Sequence, residues 1–198
     1  MISLPVPLST ALDQVLYEMG DPGPVIEIRS QGGGCINHAS QVVTRINQYF
    51  LKWNPQPLPN MFTTEALGLE SLASENAIRV PTVIKAQEAY AGVPAFILLE
   101  WIERRSSFDQ KVCGHQLATL HLKSVGHQFG LDHDNFIGST PQYNAWHADW
   151  ISFFRDQRLQ PQIDLAQRNG RCPQSRRQNL DRLLSRLDDF LGEIPRKP

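Results

Sequence analysis

Residues 32–37 read Gly-Gly-Gly-Cys-Ile-Asn and lie between two stretches of alternating apolar residues, 25–29 and 39–46. This glycine run restricts the fold more than any other feature. Three residues without side chains lose more backbone freedom on folding than any others, so a chain keeps them where the backbone itself must do something. A strand pattern resumes directly after them. The run therefore joins two neighbouring strands as a hairpin and is not the strand-to-helix turn of a dinucleotide-binding unit, which needs a helix at that point.

Periodicity orders the rest. A first helix is expected from a Ser9 cap to Met19, with Leu12, Val15, Leu16 and Met19 on one face, broken by the Gly/Pro cluster at 20–24. Strands are expected at 25–30, 38–46 and 49–53, the last two joined by a tight hairpin around Asn47-Gln48. A helix over 62–76 follows a proline-rich loop, with Phe62, Ala66, Leu69, Leu72 and Ala73 as its buried stripe. Two more strands fit 82–87 and 95–101. Every element after Trp101 reads as helix: 108–125, 145–160 and 174–191, the last striped by Leu180, Leu183, Leu184, Leu187 and Leu191. The fold class is α+β: an antiparallel five-stranded N-terminal lobe with one inserted helix, then an all-helical region. The expected domains are 1–102, with 1–20 as a leading helix, and 103–198, divided by the polar stretch at 101–107.

Composition excludes several classes. The chain of 198 residues has a net charge of −1 and no block of like charge, which gives no support for nucleic-acid or anionic-membrane binding. No run of 18 apolar residues is present. Three unevenly spaced cysteines, Cys35, Cys113 and Cys172, argue against a disulfide framework and for a reducing, cytoplasmic setting.

Three features carry candidate chemistry. Gly32, Gly34 and Asn37 occupy the positions of a kinase-type G-x-G-x-x-G loop, with Asn at the last glycine. Such a hairpin lets backbone N–H groups approach phosphate oxygens, although glycines also make plain turns. Lys52 lies in an apolar, aromatic strand on the same face as Phe50, opposite Tyr49, Leu51 and Trp53. It either pairs with a carboxylate or reaches solvent from an edge strand. Glu65 falls on the buried stripe of the 62–76 helix and needs a cation. Lys52 is its natural partner, whereas Glu70 points elsewhere. Glycine hairpin, strand lysine, helix glutamate and then a strand running into Glu100, Trp101 and Ile102 is the order of a protein-kinase-like N-terminal lobe. There the lysine orients phosphates, the glutamate holds the lysine and the hinge offers its backbone to adenine.

With these pieces stand the stretches GGGCIN, YFLKWN, MFTTEALGLESL, VPTVI, LLEWIE, LATLH, FGLDHDNFIGSTPQYN and WHADWISFFRDQRL. Together, over about residues 25–170, they resemble the fructosamine kinases, also called ketosamine-3-kinases. The resemblance implies a protein-kinase-like fold, and phosphorylation of the 3-hydroxyl of free or protein-bound ketosamines using ATP and Mg2+. It also implies ATP contacts at Gly32, Gly33, Gly34, Cys35, Asn37, Lys52, Glu65, Glu100, Trp101 and Ile102. Asn144, Trp146 and Trp150 belong to a stretch that the family keeps near its sugar site.

The family's catalytic loop, H-G-D-L-W-x-G-N, has no counterpart here. His147-Ala148-Asp149 is the sole H-x-D, and Phe154 rather than Asn stands five residues on, so it reads as a helix start. LDHD at 131–134 reads as a loop and not as a metal site. The expected base and metal ligands therefore lie beyond Pro198, and negligible turnover is expected of the 198 residues alone. Two alternatives accompany this reading: a non-catalytic, nucleotide-binding or dimerising fragment, and a kinase of the aminoglycoside or choline type. His121, with Cys113, Leu117 and Leu120, is expected in a helix core. Cys35 is a redox candidate, because neighbouring N–H groups favour a thiolate. Self-association is expected through Cys35 or through the apolar face of the 174–191 helix.

Overall fold

The computed structural model describes residues 3–34, 36–104, 107 and 109–192. It divides into two compact units, Met1–Lys123 and Ser124–Pro198. The first holds helix α1 (Val6–Glu18), strands β1 (Glu27–Ser30), β2 (His38–Val43) and β3 (Gln48–Asn54), helix α2 (Met61–Ser74), strands β4 (Val83–Gln87) and β5 (Ala95–Glu100), and helix α3 (Gln110–Lys123). The strands form one antiparallel sheet in the order β1-β2-β3-β5-β4. The order of elements expected from the sequence is therefore present in this unit.

Helices cover both faces of the sheet. On one, Leu8, Leu12 and Leu16 of α1 pack with Val42, Leu51, Phe96 and Leu98. On the other, Phe62 and Ala66 of α2 pack with Ala95, Ile97 and Leu99, with Phe50 and Leu69 against them. Burial on both faces explains why β5 reads as an unbroken apolar run, Ala95 to Leu99. In β3, by contrast, Tyr49 and Leu51 join the α1 cluster while Phe50 joins the α2 cluster, as alternation requires.

Several details differ from expectation. Helix α1 begins at Val6, not at Ser9, because Pro7 in the first turn has no N–H to lose and its φ suits a helix start. Met19, just beyond that helix, is exposed. The β2–β3 turn spans Thr44 to Asn47, closed by the Thr44 N–H donating to Asn47 O at 3.0 Å, so Gln48 already pairs with Val43. The α2 stripe ends early: Leu72 and Ala73 are exposed. Helix α3 buries Leu120 alone, leaving Cys113, Leu117 and His121 in solvent, which overturns the core placement of His121.

The second unit is not all helix. Strands β6 (Asn135–Ile137) and β7 (Thr140–Gln142) form a short hairpin. Helix α4 (Trp150–Phe153) starts at Asp149, whose side chain accepts from the Ser152 N–H, so the His147–Asp149 stretch is a helix start. A π-helical segment (Phe154–Leu159) and α5 (Gln160–Arg168) continue it. The expected 174–191 helix is two pieces, α6 (Gln174–Leu184) and α7 (Leu187–Leu191). Leu187 is buried, whereas Leu183 and Phe190 are exposed. The hairpin and its flanking loops hang on Asn144, 3% exposed. Its side chain donates to His133 O and Asn135 Oδ1, and its N–H donates to Asp134 Oδ1. Asp134 thus ties a loop. Among the described residues no group of three or more His, Cys, Asp or Glu side chains is placed to hold a metal. Gly130, at φ +149°, is required here: a Cβ would lie 2.8 Å from Asn144 O.

Candidate functional site

The site grows from β3. Alternation turns Lys52 to the face that α2 covers, and the helix presents Glu65 from its second turn. Lys52 Nζ stands 2.7 Å from Glu65 Oε2 and 2.9 Å from Oε1. The two side chains are 27% and 30% exposed, so the pair is neither sealed nor at the free surface. Such a pair contributes ~1 kcal/mol or less to stability. Its chief consequence is to fix an ammonium in one place with one flank open.

The glycine hairpin joins β1 to β2. Its base is closed by the Gln31 N–H donating to Ala39 O at 2.8 Å. Gly33 has φ +109°, a conformation side chains rarely adopt, and a Cβ on either Gly32 or Gly33 would meet nothing within 4 Å. The glycines thus serve backbone freedom and not close packing. Among the described residues, nothing accepts a hydrogen bond from the N–H of Gly32, Gly33 or Gly34. Three donors left without protein partners in one loop suit an anion. Cys35 lies outside the described residues.

Asn37 has a definite task. Its Oδ1 accepts from Asn54 Nδ2 at 2.9 Å, and Asn54 also donates to Ile36 O at 3.3 Å. Asn54 is buried at the end of β3 and fastens the second half of the glycine loop to the strand that bears Lys52. Sequence reasoning did not single out Asn54. The signal was its polar amide on the Phe50–Lys52 face of an otherwise apolar strand.

Strand β5, between β3 and β4, runs out at Glu100. Its carboxylate accepts from Arg79 Nη2 at 2.6 Å and from the Thr82 N–H and hydroxyl, both at 3.2 Å. The Arg79 guanidinium, aided by the Thr82 N–H, holds the Glu100 carboxyl below its usual pKa. Glu100 thus anchors the strand end. Trp101 and Ile102 follow outside any regular element, with Trp101 Nε1 donating to Glu103 Oε1 at 2.9 Å. Among the described residues neither has a backbone hydrogen bond.

Opposite the Lys52 face, Asp21 organises a buried network. Its Oδ2 accepts from Thr44 Oγ1 at 2.7 Å, Tyr49 Oη at 2.8 Å and Asn47 Nδ2 at 3.3 Å. Burial pushes the Asp21 carboxyl up, but these donors, with the Gly23 N–H, hold it below its ordinary value. Burial and the Asp21 charge push the Tyr49 phenol up to about 12. Sequence analysis treated Asp21 as part of a helix breaker. Nothing local marks it, because its partners lie 23 to 28 residues away.

A family model described as fructosamine kinase matches residues 9–198. A probable ketoamine kinase of Synechocystis is 40% identical over 171 residues, covering 85% of this chain and 57% of the relative. A chloroplastic protein-ribulosamine 3-kinase of Arabidopsis thaliana is 42% identical over 149 residues, covering 74% of this chain and 45% of the relative. The chain thus spans about half the length of these curated relatives. A crystal structure of a putative fructosamine-3-kinase from Thermobifida fusca superposes with a TM-score of 0.80 at 26% identity, covering 96% of this chain and 65% of that one.

Proposed function

Because the chain belongs to the fructosamine kinase family, a family of kinases with an α+β, kinase-like fold, we propose that the protein phosphorylates ketosamines with ATP and that these 198 residues supply mainly its nucleotide-holding part. The observation that carries this is the Lys52–Glu65 pair at 2.7 Å, joined through Asn54 and Asn37 to a glycine hairpin whose N–H groups have no partner among the described residues.

In this reading ATP, when bound, supplies the phosphoryl group. Lys52 Nζ meets the phosphate oxygens, and Glu65 holds the ammonium in place so that little reorganisation is needed on binding. The N–H groups of Gly32, Gly33 and Gly34 supply further donors. The backbone of Glu100, Trp101 and Ile102 forms the hinge against adenine, steadied from outside by Arg79 and Thr82. The nucleotide-binding lobe is placed at residues 1–102, with the helical lobe beginning at 103. Mg2+ enters with ATP as the phosphates' counter-ion, and no residue of this chain is assigned to it. The substrates are ketosamines, free or on proteins, and the setting is cytoplasmic.

A second reading, of a nucleotide-binding fragment without turnover, is favoured by one sequence fact. The single H-x-D is a helix cap, and no Asn stands five residues after its Asp. A coupled ADP-release assay on fructoselysine, run beside a magnesium-ATP thermal shift, tests both. The 198-residue chain is expected to shift without turnover. Turnover would place a base among residues assigned here to structure. No shift with any nucleotide would overturn the nucleotide site itself.

A further inference from the structure

The second unit contains a cation that the nucleotide reading leaves unused. Arg158 lies in the π-helical segment, where the Gln160 N–H reaches Arg155 O, five residues back. The cause is in the sequence. Pro161 has no N–H to give Gln157 O, four residues earlier, and its ring crowds that carbonyl, so the helix widens ahead of it. Gln157 O is then taken by Arg158 Nη1 at 2.9 Å. Arg158 also donates from Nη1 to Tyr143 O and from Nη2 to Asn144 Oδ1 at 2.7 Å, and its guanidinium lies 4.5 Å from the centre of the Phe153 ring.

Each of these partners is neutral. Among the described residues no carboxylate comes within 4.0 Å of Arg158. Burial lowers its pKa and no anion raises it. Of the five N–H donors of a guanidinium, three are engaged; the Nε–H and one Nη2–H are left over. Both are donors suited to a carboxylate oxygen.

Arg158 lines a cavity of about 180 Å³ with Ile137, Thr140, Gln142, Gln157 and Gln162. That is on the order of six water volumes. The amides of Gln142 and Gln157 are oriented by donating to Asn135 Oδ1 and by contact with His147 Nε2, at 2.9 and 3.1 Å, which leaves their oxygens as acceptors. Thr140 Oγ1 and the Gln162 amide have no hydrogen bond among the described residues. A charge without a counter-ion, beside acceptors suited to hydroxyl groups, defines the complementary ligand. Carbonyl-type acceptors repel a phosphate dianion more strongly than a carboxylate monoanion, and a single guanidinium balances only one negative charge. A π-helical segment, a feature often found at functional sites, shapes the wall.

We propose that this cavity binds a small hydroxylated carboxylate, with its carboxylate on the unpartnered donors of Arg158 and its hydroxyls on the glutamine oxygens. The site rests on no part of the nucleotide reading. The test is isothermal titration and thermal shift of the chain with sodium glycerate, with glycerol, sodium chloride and inorganic phosphate as controls. Saturable glycerate binding is expected, with at least tenfold weaker binding of phosphate and none of glycerol. Arg158→Lys, which keeps the charge and loses the fork, is expected to weaken glycerate at least tenfold. Since Arg158 also holds Asn144, Gln162→Ala supplies a variant at the exposed rim, expected to weaken glycerate three- to tenfold at unchanged Tm. The proposal fails if glycerate shows no saturable binding, if phosphate or glycerol binds as well, or if both variants bind glycerate like the parent.

Discussion

The two faces of β3 are made by alternate residues of one strand, yet they are built for different ends. On the α1 side, Tyr49 and Leu51 are sealed and Asp21 gathers Thr44, Asn47 and Tyr49 into one network, while Ser40 Oγ and Trp53 Nε1 are buried without a hydrogen bond among the described residues. On the α2 side, Lys52 and Glu65 stay nearly a third exposed, and the glycine loop, tied to the same strand by Asn37 and Asn54, has N–H groups without partners among the described residues. One face spends a buried carboxylate on the fold; the other holds a charged pair fixed and available. Stability and ligand binding should therefore separate cleanly between neighbouring residues of the same strand.

The largest expected effect breaks the sealed face. Leu51→Ala, at a position with 0% exposure, should cost about 2–5 kcal/mol by urea denaturation. A loss below 1 kcal/mol would mean that this face is not the core. Asp21→Asn should cost about 1–3 kcal/mol, because two buried donors, Thr44 Oγ1 and Tyr49 Oη, and the exposed Asn47 amide lose a charged acceptor. The network also gives a pH signature. The Asp21 pKa is lowered on folding from 3.8, so its contribution is present above that value and is lost as pH falls through the folded pKa. The Tyr49 pKa is raised from 10.0 to about 12, so its contribution is complete below pH 10 and is lost as pH rises through 12. Urea midpoints measured from pH 7 downward should fall for the parent below pH 3.8 and be flatter for Asp21→Asn. Parallel curves would remove Asp21 from the account. The smallest effect on stability belongs to the open face: Glu65→Gln should change stability by about 1 kcal/mol or less while weakening nucleotide binding several-fold. A large loss of stability with unchanged binding would erase the contrast between the faces.

How much of this was legible in the sequence follows the range of the interactions. The β3 alternation and the Lys52–Glu65 pairing follow from a period of two, a period of 3.6 and the need of a buried charge for a partner. All three are local or nearly so. The α2 stripe stops at Leu69, the last of its residues packed against the sheet, although Leu72 and Ala73 keep the helical period and are exposed. The β6–β7 hairpin was missed because three-residue strands containing Pro141 carry no alternation to detect. The helix over 145–160 began late, at Trp150, and ran on past Pro161 through a π-helical segment, which no periodicity shows. Asp21, Asn54 and Asn144 share a reason for having gone unnoticed. Each is a polar residue made important by partners that only the folded chain brings to it.

The separation of the two faces is tested most directly by calorimetric titration of magnesium-ATP into the parent chain and into Lys52→Ala, with urea midpoints measured on the same samples. The account predicts saturable binding to the parent, at least tenfold weaker binding to Lys52→Ala, and a stability change of about 1 kcal/mol or less. Equal affinity in the two proteins would contradict it, because the ammonium held by Glu65 would then have no part in holding the nucleotide.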